Sequence, residues 1–162
     1  MKLTLIDDNI ILNIRNERIK DINFNDNEEL REYFKKIFSK MKEKYKILIN
    51  GFYYVKIYKD KYYGIIIELE KSDMEYYDYY IDEIDMHIEI VESIFLYQID
   101  DIYITESLKK DNDIILYQNK LYLKINRNLN NIEIDKLIEI SKIFYKNVDN
   151  ILKYGRILKV IN

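Results

Sequence analysis

Apolar and polar residues alternate along this chain with two different periods. LTLIDDNIILNIR (3–15) is an apolar run, a polar break at Asp8-Asn9 and a second apolar run. IILYQNKLYLKIN (114–126) repeats that pattern position for position, with the break at Asn119-Lys120. Each stretch predicts a β-hairpin, because Asn tolerates the conformation a tight turn needs. A different period follows the first hairpin. Leu30, Tyr33, Phe34, Ile37, Phe38, Met41 and Tyr45 recur at helical spacing, and Arg31, Glu32, Lys35, Lys36 and Lys40 take the opposite face. Asp26 and Glu29 form a capping box at the start of this helix.

KILINGFYYVKIYKDKYYGIIIELE (46–70) then reads as two strands around Lys59-Asp60-Lys61, with a break at Asn50-Gly51. HIEIVESIFLYQ (87–98) alternates as one strand, and IDDIYITESL (99–108) leans towards a short helix. A second long helix is expected from about Ile132 to Lys146, with Ile134, Leu137, Ile138, Ser141 and Phe144 inward. Its partner strand is RILKVI (156–161). Both halves share a ββαβ order. Each must lay a helix on a mostly antiparallel sheet to bury that sheet's apolar face, so the expected class is α+β, built as two small sheet-plus-helix modules.

Between the modules lies EKSDMEYYDYYIDEIDMH (70–87). From Ser72 to Met86 it holds six acids and four tyrosines, with no Lys or Arg. The charge shift marks a boundary, and Met74, Tyr77, Ile81 and Ile84 have weak helical spacing. The expected division is an N-terminal module over 1–70, an acidic connector over 71–87 and a C-terminal module over 88–162. A solvated join explains the connector as it stands. A partner contact through Tyr76, Tyr77, Tyr79 and Tyr80 is the alternative, since exposed aromatics mark interfaces.

Composition narrows the chemistry. The chain has 162 residues, a net charge of −3, no Cys, one His and three Gly. Disulfides, thiolate metal sites and thiol catalysis are excluded. The three glycines lie too far apart for a phosphate-cradling loop. His87 alone cannot form a multi-histidine metal site and reads as a solvated residue at an element boundary. Pairs such as Asp100–Asp101 or the Asp82–Glu83–Asp85 group could do acid–base work or hold a hard cation. With 29 acids in the chain, however, neighbouring acids arise by chance. No catalysis and no cofactor is therefore expected. Without a basic stripe, nucleic-acid binding is disfavoured. No apolar run is long enough to span a membrane, and Met1–Ile14 lacks the marks of a secretory leader. The expected compartment is the cytoplasm. The absence of Pro, Trp and Ala beside abundant Ile, Lys, Asn, Asp and Tyr reads as the coding bias of an AT-rich bacterium.

In order along the chain, MKLTLIDDNIILNI with RIKDINF, NEELREYFKKIF, NGFYYVKIYKDKYYGIIIEL, IFLYQIDDIYI, IILYQNKLYLKI and LKYGRIL resemble the segments of the MecA family of adaptor proteins from low-GC Gram-positive bacteria. The shared order over nearly the whole chain carries the resemblance, since each short segment is unspecific by itself. The resemblance implies an adaptor without catalysis. Its N-terminal module would hold a client protein. Its C-terminal module would dock on a Clp-type AAA+ ATPase, the ClpC unfoldase, and so direct regulated proteolysis. Tyr154 and Arg156, in the Tyr-Gly-basic segment, are the docking candidates it implies. Joining two binding modules makes the second contact intramolecular, so weak contacts add. The other reading is a different protein-binding module, such as an inhibitor or immunity-type protein presenting its acidic tyrosine-rich segment to a basic target.

Overall fold

A computed structural model describes residues 2–6, 9–47, 49–72, 84–101 and 106–158. The chain is α+β and divides into two compact units, Met1–Glu92 and Ser93–Asn162. Among the described residues no helix is long and apolar enough to cross a membrane.

The first unit opens with the hairpin β1 (Lys2–Ile6) and β2 (Asn9–Ile14). Its register pairs Ile6 with Asn9, so Asn9 belongs to the second strand rather than to the break expected at Asp8-Asn9. A 3-10 turn over Asn16–Arg18 leads to helix α1 (Asn27–Tyr45). Asp26 caps α1 by accepting from the Glu28 and Glu29 amides. Glu29 does not complete the expected box, because its carboxylate accepts from the Asn23 amide at 3.3 Å instead. Strands β3 (Gly51–Asp60) and β4 (Gly64–Lys71) follow. The turn between them is held by Asp60, whose carboxylate accepts from the Tyr62 and Tyr63 amides. Strand β5 (Ile84–Val91) completes a sheet in the order β1-β2-β4-β3-β5. β5 runs parallel to β3; the other pairings are antiparallel.

The core of this unit lies between α1 and one face of the sheet. Leu30, Phe34, Ile37, Phe38 and Met41 of the helix pack with Leu12, Val55, Ile57, Ile67, Leu69 and Met86. The helix side of this core follows the period read from the sequence, except that Tyr33 is only partly buried and Tyr45 is exposed.

The second unit is built from β6 (Leu96–Ile99), α2 (Glu106–Lys109), β7 (Asp113–Tyr117), β8 (Lys120–Lys124), α3 (Asn131–Ile140), β9 (Ser141–Phe144), α4 (Val148–Tyr154) and β10 (Arg156–Leu158). Its sheet is wholly antiparallel, in the order β10-β7-β8-β6-β9. The β7–β8 turn is Gln118-Asn119, both at positive φ as a type I′ turn requires, and Lys120 is already in β8. Leu96, Ile115, Tyr122, Val148 and Ile151 form a core on one face. By the pleat, Tyr97, Ile99, Ile114 and Leu123 turn to the other face, and they too are buried.

Three expectations are corrected. The 87–98 stretch is not one strand. Its first part completes β5 in the first sheet, and its last part is β6 in the second. Residues 88–92 therefore belong to the first unit, and β5 takes in Ile84–His87 of the expected connector. Ser93 turns the chain between the strands, its hydroxyl donating to the carbonyls of Ile94 and Tyr145. The second long helix stops at Ile140, where Ser141 adopts extended backbone and donates its hydroxyl to the Leu137 carbonyl. From Ser141 the chain pairs with β6, and this pairing overrides the helical spacing of Ser141 and Phe144. The C-terminal strand pairs with β7 rather than beside α3. The expected helix within 71–87 falls largely on residues 73–83, which lie outside the described residues.

Both units contain ββαβ, as β1-β2-α1-β3 and β7-β8-α3-β9. In each sheet one further strand inserts between the hairpin and the strand after the helix: β4 in the first, β6 in the second. The inserted strand follows the motif in the first unit and precedes it in the second.

Candidate functional site

Tyr154 and Arg156 flank the corner where α4 turns into β10. The Gly155 amide closes α4 by donating to the Ile151 carbonyl at 2.8 Å. The helix end and strand β7 approach so closely that a Cβ at Gly155 would collide with Ile115 Cγ2 and the Ile151 carbonyl oxygen. Arg156, Ile157 and Leu158 then pair with Leu116, Ile115 and Ile114. This geometry pushes large side chains outward. Tyr154 is 65% exposed and Ile157 is 57% exposed. Lys153 Nζ stands 5.0 Å from the Tyr154 ring centroid, and Arg156 is exposed. The corner is a basic-aromatic surface on a rigid support. Exposed aromatic and arginine side chains of this kind suit contact with another protein surface.

The best-organised polar site in this unit is one the sequence reading did not single out. Arg127 and Glu133 meet through two hydrogen bonds, and Arg127 also donates to the carbonyls of Ser107, Lys110 and Asn128. Asn130 and Glu133 form a reciprocal capping box at the start of α3. The hydrogen bonds from Arg127 and from the Asn130 amide hold the Glu133 carboxyl down at about 2, from an ordinary value of 4.5. Asn-x-x-Glu before an apolar helix was the available signal. The Glu133 oxygens are occupied by protein donors, so this is a clamp on three loops rather than a reactive carboxylate.

In the first unit, the sheet face away from α1 carries Phe52, Tyr54, Lys56 and Tyr58 of β3 and Asp85, His87 and Glu89 of β5, by strand alternation. Phe52, Tyr54 and His87 stand edge to face in sequence, with centroids 5.4 and 6.2 Å apart. Tyr58 donates to Glu68 Oε2 at 3.4 Å. Burial raises its phenol pKa first, and the nearby Glu68 and Glu89 charges add to that. His87 is exposed in the middle of β5, not at a boundary. Asp85 is paired with Arg31 at 2.9 Å. Among the described residues no group of three or more His, Asp or Glu side chains is placed to hold a metal ion. Tyr76, Tyr77, Tyr79 and Tyr80 lie outside the described residues, as do Asp82 and Glu83.

Comparison with known proteins finds no family model, no curated protein and no solved structure that matches the chain.

Proposed function

We propose that the chain is a non-enzymatic adaptor working through protein surfaces. The first unit takes a client protein, and the second docks on a ClpC-type Hsp100 unfoldase, bringing the client to regulated proteolysis in the cytoplasm. The observation that carries the docking half is the exposed pair Tyr154 and Ile157 on the α4–β10 corner, next to Lys153 and Arg156. Aromatic and arginine side chains on a rigid corner are the residue types that dominate binding energy at interfaces. The division of labour rests on the two units, each with its own sheet and buried residues. The sequence resemblance to MecA-type adaptors points the same way.

The test is addition of the purified chain to a ClpC-type ATPase. ATP hydrolysis should rise, and the chain should co-elute with the ATPase hexamer. A flat response with no co-elution discards the reading.

A further inference from the structure

We infer that the free edge of β5 is a docking site for an extended protein segment that alternates basic and apolar residues. This deepens the client-binding half of the proposed function and rests on it. β5 is paired with β3 on one side, and among the described residues no strand lies on the other. At the start of β5 the Met86 amide donates to Asp85 Oδ1 at 2.8 Å and Arg31 of α1 holds that carboxylate; the backbone beyond, over His87–Val91, is a template for one more strand.

The sheet edges of this protein are not alike. β1 begins with Lys2, β9 has four residues and carries Lys142, and β10 carries Arg156. Basic side chains on an edge are a usual defence against unwanted pairing. β5, IDMHIEIV, has no Lys, Arg, Pro or Gly of its own; Arg31 of α1 reaches its start at Asp85 and leaves Glu89 without a basic neighbour on the edge side among the described residues.

The side chains along β5 define the occupant. Met86, Ile88 and Ile90 turn towards the α1 side of the sheet. Met86 is fully buried, Ile88 packs against the core, and Ile90 is 41% exposed. An added strand with apolar residues on that side would cover Ile90 and extend the core. On the other side the register sets Glu68 beside Lys56 and Lys56 beside Glu89. The row therefore alternates in charge and ends, at the edge, on an exposed carboxylate. A lysine or arginine opposite Glu89 continues the alternation; an acid there is repelled. The same rule argues against a second copy. Antiparallel self-pairing about His87 would set Asp85 against Glu89, and parallel in-register self-pairing would set each acid against itself.

The experiment uses the full chain and a fluorescein-labelled ten-residue peptide alternating lysine and valine, with a glutamate–valine peptide as control. Fluorescence anisotropy should saturate with the lysine peptide and weaken as salt rises. The glutamate peptide should bind at least about tenfold more weakly. Glu89→Lys, at an exposed position, should weaken the lysine peptide about tenfold and strengthen the glutamate peptide. Amide shifts on binding should centre on 84–91. Equal affinity for the two peptides, no effect of Glu89→Lys, or shifts centred elsewhere would each overturn the proposal. So would a concentration-dependent dimer abolished by Glu89→Lys, which would make a second copy the occupant. No unfoldase is present in this assay, so its failure leaves docking of the second unit untouched. A flat ATPase response, conversely, leaves peptide binding by β5 standing.

Discussion

Arg127 grips Glu133 with both arms of its guanidinium: Nη1 donates to Oε2 at 2.9 Å and Nη2 to Oε1 at 2.6 Å. The remaining donors reach the Ser107, Lys110 and Asn128 carbonyls. One side chain thus ties the α2 region, the loop after β8 and the first turn of α3. Only a planar, five-donor group can serve all of these at once. Arg127→Lys keeps the charge but loses the fork. It should lower the melting temperature of the second unit and speed hydrogen exchange around 106–112 and 127–133, with the first unit unchanged. Unchanged exchange in both loops would show that the clamp is dispensable.

The clamp also predicts a pH dependence. The folded-state pKa of Glu133 is depressed to about 2, against 4.5 for the free group. A depressed carboxyl contributes stability that is fully present above the unfolded value and is lost as pH falls through the folded one. Wild type should therefore lose, between about pH 4.5 and 2, a part of its second-unit stability that Glu133→Gln has already lost at neutral pH. Urea unfolding of both proteins across that range checks this. The side-chain carbon resonance of Glu133 should titrate near 2; a midpoint near 4.5 would contradict the geometry.

The first unit depends on one large side chain and one backbone conformation. Phe34 is fully buried and stacks on Phe38, their centroids 6.2 Å apart. Phe34→Ala should cost about 3–5 kcal/mol, a large share of a typical domain's stability. Gly64 has φ +120, and a Cβ there would collide with the Ile14 carbonyl oxygen and lie 2.9 Å from Arg15 Cα. Gly64→Ala should destabilise by more than ~1 kcal/mol, since it adds strain as well as a clash. Chemical denaturation followed by first-unit resonances measures both.

Local patterns were legible where a single element decides its own fate. The face of α1 is written in Leu30, Phe34, Ile37, Phe38 and Met41; the β3–β4 break reads from the sequence at Lys59-Asp60-Lys61, whereas β3 runs on through Asp60 and β4 starts at Gly64. Failure came where a distant partner decides. Ser141 to Phe144 fit a helix and a strand equally well, and pairing with β6 chose the strand. Residues 87–91 alternate identically whether they join the first or the second sheet; only β3 settles which. Arg127 was not legible, because besides Glu133 its partners are backbone carbonyls, which have no residue signature.

The placement of β5 predicts where the chain can be cut. Met86 is fully buried within the first core, and β5 covers the edge of β3 along its length. A fragment spanning 1–92 should fold alone and give a dispersed amide spectrum. A fragment spanning 1–70 lacks β5 and opens the β3 edge, so it should be poorly dispersed or aggregate. Fragment 93–162 should fold alone as well, since its sheet is complete without 88–92. A well-folded monomeric 1–70 fragment would show β5 to be an accessory strand.

The α4–β10 corner separates support from contact. Gly155 supports it, so Gly155→Ala should disturb packing against Ile115 and lower second-unit stability. Tyr154 projects from it, with nothing in the core relying on its ring. Tyr154→Ala should therefore leave the melting temperature within about a degree of wild type, as surface changes away from special features do. On an unfoldase it should behave as an interface anchor. A loss of about 1.4 kcal/mol would shift the concentration for half-maximal ATPase stimulation tenfold. Ile157→Lys, on the same surface, should act in the same direction. If both variants stimulate the ATPase at wild-type concentrations, docking does not use this corner, whatever the second unit binds.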